Sequence, residues 1–316
     1  MLRIVAAIAT AAAFALGVYA LLDATRPENG LINFAFLLIL PAAISAFLAY
    51  VADPWGRRSL RQYLMVPVWL MLAVIVLSLV VLHEGVICVI LLTPLWLGSA
   101  AAGAGLTYRL RHRIRAGRTY CTALLALPLV AIQVEPMMLL PEDARMVTRE
   151  IVIEAPPSRI WPLLRGIPDV QADEGQWNLT QDVIGVPRPI GAWLVGDGLG
   201  ADRQARWGHN IAFRETITEW QEGVRIGWHF IFDDVAAWDY TDRHLMPNSR
   251  YFGVTDGRYR MEPLGPNRTR LFIDTEYRIQ TPVNAYCALW GEFFLGDVEN
   301  NLLAMIRQRA ERGVEG

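Results

Sequence analysis

Long apolar segments dominate the first 140 residues of this 316-residue chain. A membrane-spanning helix needs about 20 mostly apolar residues, so nearly uncharged runs of that length predict spans. Four runs lie at 3–22, 31–52, 63–82 and 85–107, and a weaker fifth run lies at 119–140. Pro128, Gln133 and Glu135 interrupt the fifth run. We expect a transmembrane domain of about five spans over residues 1–140, or four spans followed by a re-entrant or interfacial segment.

The arginines between these runs predict the orientation of the spans. The arginine-rich loops follow the second run (Arg57, Arg58 and Arg61) and the fourth run (Arg109, Arg111, Arg113, Arg115 and Arg118). Short arginine-rich loops remain in the cytoplasm. We therefore expect an integral protein of a bacterial inner membrane with a cytoplasmic N-terminus. Five spans put the rest of the chain on the extracytoplasmic side, whereas four spans put it inside.

The composition excludes several classes of function. All 29 basic residues are arginine, so a Schiff-base, catalytic or P-loop lysine is excluded. After residue 140 the chain carries 19 arginines and 26 acidic residues, and this acidic balance argues against nucleic acid as a partner. The three cysteines are too widely spaced to predict a zinc site or a disulfide framework. The acidic stretch 233–244 lacks the pattern of a calcium loop, and we expect neither a metal nor another cofactor.

Residues 141–316 predict a second domain, because short alternating runs replace the long apolar ones. A half-buried strand is predicted at 147–154 and a short helix at 159–165. Further strands are predicted at 191–196, 203–209, 211–220, 224–232, 251–262 and 268–280. A long helix at 283–312 has apolar residues at steps of three and four. This order predicts an α+β fold in which the long C-terminal helix lies across a curved antiparallel sheet.

Several stretches of this second domain resemble the START-like (Bet v 1-like, SRPBCC) superfamily. Residues 150–156, followed by Ile160-Trp161, resemble its opening strand and helix. Residues 213–220 with Gly223 are similar to its central hairpin. Residues 259–264, 268–271 and 307–311 are similar to its closing strands and helix. The resemblance covers about residues 147–312 and fits the polyketide cyclase/dehydrase-like branch best.

This resemblance implies a helix-grip fold, in which the sheet wraps the long helix and leaves an apolar cavity. Members of the superfamily bind lipids, steroids, polyketides or other hydrophobic molecules, and only some catalyse a reaction. We therefore expect a membrane-anchored protein that binds, or binds and transfers, a hydrophobic lipid- or polyketide-like ligand, with membrane lipids as its other partner. The alternatives are an enzyme of the cyclase/dehydratase type and a protein-interaction module. The sequence names no protein partner.

Alternation along the strands predicts which side chains face that cavity. The expected ligand-binding aromatic residues are Trp161, Trp207, Trp228, Phe230, Tyr259, Tyr277, Trp290 and Phe294. Such a lining suits a large apolar or ring-containing ligand, because ligand pockets combine apolar walls with a few polar groups. An ordinary filled core is the alternative explanation for so many aromatic residues.

Four polar residues are candidates for orienting or transforming the ligand: Arg203, His209, Glu215 and Asp297. His209 and Glu215 are expected to form an acid/base pair, with Arg203 holding a ligand oxygen. The alternative is a structural histidine beside a cross-strand ion pair. If Glu215 points inward it needs a partner, and Arg203 or Arg206 are the nearest basic residues in sequence.

Overall fold

The computed structural model describes residues 2–25, 32–77, 86–114, 118–135, 139–234, 237–238 and 246–312. The chain forms two compact units. The helical unit contains Met1–Pro141 together with Thr281–Val283, and the sheet unit contains Glu142–Gln280 and Asn284–Gly316.

The described residues of the helical unit form five helices. They are α1 (Leu2–Thr25), α2 (Leu40–Ala52, preceded by a π-helical segment at Ala35–Ile39), α3 (Leu60–Leu77), α4 (Val86–Ile114) and α5 (Arg118–Val134). Apolar side chains of α1, α2 and the π-helical segment form its main core, which includes Val18, Phe36 and Ile44. Interior prolines occur in α3, α4 and α5, as spans packed against other helices can tolerate.

Three helices of the described residues are long and apolar enough to cross a membrane: Val5–Leu22, Ala35–Ala52 and Val89–His112. The expectation of five spans is therefore not supported. The apolar parts of α3 (Leu60–Val76) and α5 (Ala123–Val134) are shorter, and residues 78–82 of the third predicted run lie outside the described residues. The carboxylate of Glu135, directly after α5, accepts hydrogen bonds from the backbone N–H groups of Phe34 and Ala35. This acid therefore caps a helix start, which explains its place at the end of an apolar run.

The sheet unit contains seven antiparallel strands. They are β1 (Asp143–Ile153), β2 (Pro189–Val195), β3 (Asp202–Trp207), β4 (Ala212–Gln221), β5 (Arg225–Ile231), β6 (Phe252–Gly265) and β7 (Arg268–Ile279). Their order across the sheet is β1-β7-β6-β5-β4-β3-β2. Helices α6 (Pro157–Arg165) and α7 (Leu179–Asp182) follow β1, and α8 (Asn284–Glu311) closes the chain. The predicted α+β order is confirmed, with the strand and helix boundaries within a few residues of those expected.

The core of the sheet unit lies between one face of the sheet, α6 and the second half of α8. Ile226 and Leu271 from the sheet pack with Leu164 of α6 and with Leu303 and Ile306 of α8. Side chains alternate along each strand, so one face of the sheet is apolar and forms this core. We call it the inner face. The arrangement, a sheet packed on a long C-terminal helix, is that of a helix-grip fold.

Candidate ligand-binding site

A buried ion pair lies on the inner face of the sheet. Arg203 of β3 stands opposite Glu215 of β4 in the strand register, and its Nε donates to Glu215 Oε2 at 2.5 Å. The two side chains are 5% and 8% exposed. Arg203 Nη1 also donates to the carbonyl oxygen of Leu164, 2.5 Å away. Glu215 therefore points inward and has Arg203 as its partner. A buried charge needs such an opposite charge, because it has lost its contact with water.

Aromatic rings surround this ion pair. The guanidinium carbon of Arg203 lies 4.1 Å from the ring centre of Trp228 on β5 and 5.9 Å from that of Tyr259 on β6. The rings of Trp228 and Tyr259 are 5.1 Å apart, and Phe230 meets Trp228 edge-on at 6.0 Å. Stacking of a guanidinium on aromatic faces is favourable.

Two buried polar side chains of the sheet unit form no hydrogen bond of good geometry among the described residues. They are Glu299 on α8, at both carboxyl oxygens, and Trp228, at its indole Nε1. The Thr275 hydroxyl interacts weakly with the Glu299 carboxyl group. Glu299 is 2% exposed. Its charge affects the pKa of Tyr259, as do the charges of Arg203 and Glu215, so all four groups share one electrostatic environment. We call Arg203, Glu215, Trp228, Tyr259 and Glu299 the polar cluster.

Burial raises the pKa of two members of the polar cluster, Glu299 and Tyr259, and so favours their neutral forms. Burial raises the pKa of Glu299 from 4.5 to about 8, and Asp274 and Glu292 push it in the same direction. The Thr275 side chain and Arg149 act in the opposite direction but offset only part of this effect. Burial also raises the pKa of Tyr259. At neutral pH the Glu299 side chain is thus largely an uncharged acid, which can donate as well as accept a hydrogen bond.

The structure does not bring His209 and Glu215 together. His209 follows the end of β3, is exposed, and has a positive φ of 57° in the turn to β4. Glu215 lies in the strand interior, three positions beyond Ala212, the first residue of β4. The turn carries His209 away from the inner face, so the expected acid/base pair is not formed.

The expected aromatic residues are distributed over several clusters. Trp161, Trp228, Phe230 and Tyr259 belong to the main core of the sheet unit. Tyr277 lies in a second cluster with Val147 and Ile279, and Trp207 lies in a third with Phe213 and Phe230. Trp290 and Phe294 are half-buried and stack on each other at 5.5 Å. Trp228, Tyr277 and Trp290 are therefore not packed against one another as a single filled core.

Asp297 has a structural contact outside the polar cluster. Its Oδ2 accepts hydrogen bonds from the backbone N–H and the hydroxyl of Thr180, at 3.0 and 2.7 Å. These bonds attach α7 to α8. Asp297 is two residues before Glu299, and this separation of about 200° on a helix explains why the two carboxyl groups face different neighbours.

The acidic stretch 233–244 is only partly described. Asp233 binds Arg214, with 2.6 Å between Oδ2 and Nε, while Asp239, Asp242 and His244 lie outside the described residues. A polar cleft of about 240 Å³ lies near Glu219, Asp256, Arg258 and Glu276, and Trp228 also contributes to its lining. Asp256 contacts His229 at 3.1 Å, and Arg258 binds Asp274 at 3.1 Å, so charges at this cleft are compensated by neighbours.

Glu299 is the candidate residue that sequence reasoning missed. The signal was present, because Glu299 lies at helical spacing between Leu295 and Leu303, which both take part in apolar packing of α8. An acidic residue in the apolar stripe of a helix is costly when buried, and therefore marks a position to inspect.

No protein-family model matches the chain, and no curated protein matches it. Among solved structures, it is similar to a truncated norcoclaurine synthase from Thalictrum flavum, with 14% identity, 57% of this chain and 99% of that chain covered, and a TM-score of 0.35. A START superfamily protein from Mycobacterium smegmatis has 16% identity over 53% and 97% of the two chains, with a TM-score of 0.34. The ZhuI aromatase/cyclase from Streptomyces sp. R1128 has 15% identity over 54% and 96%, with a TM-score of 0.35. At these values the fold assignment rests on the strand order and on the packing of α8.

Proposed function

We propose that the chain is a membrane-anchored protein whose sheet unit binds an apolar ligand at the inner face. The polar cluster is the observation that carries this proposal. The indole N–H of Trp228 lies beside the aromatic rings and the ion pair, the buried carboxyl group of Glu299 acts electrostatically on Tyr259, and neither group forms a hydrogen bond of good geometry among the described residues. Each unpaired buried polar group costs about 1–3 kcal/mol, so their presence together indicates a use that offsets the cost.

The chemistry of the polar cluster indicates the kind of ligand. Glu215 neutralises Arg203, so the cluster does not require an anionic ligand. A largely protonated Glu299 donates a hydrogen bond to a carbonyl oxygen or accepts one from a hydroxyl. The Trp228 N–H offers a second donor. We therefore favour a ligand with a large apolar body and an uncharged oxygen group, such as a lipid- or polyketide-like molecule.

The helical unit serves as the anchor in this proposal. Its three candidate spans hold the sheet unit at the bilayer, where the local concentration of an apolar ligand is highest. Three spans put the sheet unit on the side of the membrane opposite to the N-terminus. With a cytoplasmic N-terminus, the ligand is bound on the extracytoplasmic side.

The test is extraction of the bound molecule from the full-length chain. The protein is purified into nanodiscs of one synthetic lipid, and its organic extract is compared by mass spectrometry with that of empty nanodiscs exposed to the same lysate. We expect an apolar compound, in near-stoichiometric amount, that carries a carbonyl or hydroxyl group. An extract identical to that of the empty nanodiscs contradicts the proposal and favours a protein-interaction module.

A matched pair of double variants connects the ligand to the polar cluster. Arg203→Met with Glu215→Leu removes the buried ion pair but keeps the side-chain volume, and we expect at least a tenfold loss of the extracted compound. Arg214→Met with Asp233→Leu removes an exposed pair that begins one residue away on β4 and should leave the extract unchanged. Equal amounts of the compound in the extracts of both double variants would mean that the ligand binds away from the polar cluster.

An enzyme of the cyclase/dehydratase type is the second candidate, because the pKa of Glu299 near 8 suits proton transfer at neutral pH. Glu299 takes the role expected for Glu215, which is held in its ion pair. Once the extracted compound is known, Glu299→Gln separates the two functions. A binding protein keeps the compound unchanged over time, whereas an enzyme accumulates unreacted substrate in the variant.

A further inference from the structure

The first half of α8 has an apolar face directed away from the sheet. Cys287, Ala288 and Leu295 pack with the cluster around Tyr277, so they define the side of α8 that meets β1 and β7. Successive residues are about 100° apart on a helix, which puts Leu289, Trp290 and Phe293 about 120° or more from the centre of that side. Leu289 is 70% exposed, and Trp290 and Phe293 are half-buried.

Helix α7 packs next to this part of α8. Thr180 of α7 is bound to Asp297, one helical turn after Phe293. Leu179, and the residues just outside α7, Trp177 and Val183, are large exposed apolar side chains. We define the interfacial surface as six residues: Trp177, Leu179, Val183, Leu289, Trp290 and Phe293. Exposed apolar side chains grouped in this way mark a contact surface rather than ordinary scatter.

Two carboxylates next to this surface are compensated by arginines. Asp182 binds Arg188 at 2.8 Å, and this contact holds the pKa of Asp182 below its usual value. Glu292 binds Arg149 at 2.7 Å, whereas Asp297 accepts hydrogen bonds from Thr180, which do not neutralise its charge. These contacts lower the cost of bringing the surface to lipid headgroups, which oppose uncompensated negative charge.

The connection of α8 to the helical unit indicates that the partner of the interfacial surface is the lipid bilayer. Thr281–Val283, the residues directly before α8, belong to the helical unit that contains the candidate spans. Leu289 follows the first residue of α8 by five positions, about 8 Å along a helix. Tryptophan together with exposed aliphatic residues is typical of segments at the level of lipid headgroups. We propose that the interfacial surface docks onto the lipid bilayer in which the helical unit is embedded.

This inference rests on the proposed membrane anchoring, and the experiment separates the two. Cys88, Cys121 and Cys287 are replaced by alanine in the full chain, and a nitroxide spin label is attached at Leu289→Cys. The control is Leu199→Cys, in the turn between β2 and β3, where the leucine is 68% exposed. Both proteins are reconstituted into vesicles of phosphatidylcholine and phosphatidylglycerol. Collision rates are then measured with oxygen, which concentrates in lipid, and with a water-soluble nickel chelate.

We expect the label at position 289 to collide at least threefold more with oxygen and less with the nickel chelate than the label at position 199. Equal nickel accessibility at both positions overturns the docking proposal while leaving the anchor intact. Protection of position 289 from both reagents also overturns it, because a protein partner then covers the surface. Failure of the full chain to remain with vesicles after alkaline extraction contradicts the anchor itself.

Discussion

Neighbouring residues of β4 take part in two ion pairs of similar geometry on opposite faces of the sheet. Glu215 is bound by Arg203 on the inner face at 2.5 Å, and Arg214 binds Asp233 on the outer face at 2.6 Å. The inner side chains are 5% and 8% exposed, whereas the outer ones are 38% and 60% exposed. Burial, and not distance, distinguishes the two pairs.

The difference in burial gives the two ion pairs different energetic costs. Water screens the outer pair, so its formation changes the stability little. Removing the inner pair from water costs energy that the attraction within the pair repays only in good geometry. Apolar residues could fill the same place at no such cost. This cost is one reason for our proposal that the inner pair takes part in ligand recognition.

The largest effect should come from removing one member of the inner pair. Glu215→Gln leaves Arg203 charged and buried, and we expect a loss of about 3–5 kcal/mol in the free energy of unfolding. Arg203→Met should cost less, because a stranded carboxylate can take up a proton but a guanidinium cannot release one. Thermal unfolding of the full chain in detergent, with hydrogen exchange of β3 and β4 peptides, measures both.

The double variant Arg203→Met with Glu215→Leu completes this comparison. It should recover most of the stability lost by Glu215→Gln, since no uncompensated charge remains. Equal losses in the free energy of unfolding for Glu215→Gln and Arg203→Met would show that water reaches the inner pair, as it reaches the outer pair.

The second largest effect distinguishes the two halves of α8. Leu303 is 1% exposed in the core, so Leu303→Ala should cost about 2–5 kcal/mol by leaving a cavity. Leu289→Ala, at the interfacial surface, should change the stability in detergent by less than about 0.5 kcal/mol. Urea unfolding of the two variants side by side checks this, and a large effect at Leu289 would mean that its face packs inside the protein.

Most of the fold could be predicted from the sequence, because its elements are determined by local periodicity. The strands around Trp228 and Ile273 alternate cleanly, and α8 repeats apolar residues every three or four positions. The number of spans was predicted less well, since apolar length alone does not show where a helix ends. Glu135 is an example, because its role as a cap for Phe34 and Ala35 depends on a residue 100 positions away.

The candidate site could be predicted only in part. Alternation placed Arg203 and Glu215 on the same face, and the strand register then made them partners. The same alternation continued past the end of β3 and assigned His209 to that face, but the turn begins there. Glu299 depends on which neighbours surround one face of α8, and no local pattern specifies those neighbours.

The third effect is a pH dependence that arises on the inner face. Because the pKa of Glu299 is raised to about 8 by burial, the folded protein keeps a proton that the unfolded chain releases above pH 4.5. Stability should therefore fall as the pH rises from about 5 to 8, and Glu299→Gln should remove about 1–3 kcal/mol of this fall. Melting curves at several pH values measure the slope. The control variant Glu276→Gln, at an exposed position on β7, should keep the wild-type slope of stability against pH. If Glu299→Gln also leaves this slope unchanged, the carboxyl group of Glu299 is solvated.

The smallest effect is expected at the outer pair. Arg214 lowers the pKa of Asp233 through their hydrogen bond, but both groups remain in contact with water. Arg214→Met should therefore shift the apparent melting temperature by less than about 1 °C, and 0.5 M salt should abolish the difference from the wild type, because salt screens exposed charges. Glu215→Gln should keep its large deficit at the same salt concentration, since buried charges are screened much less. A salt-resistant loss in Arg214→Met would remove the distinction between the two faces, and with it the physical reason for placing the ligand beside Arg203.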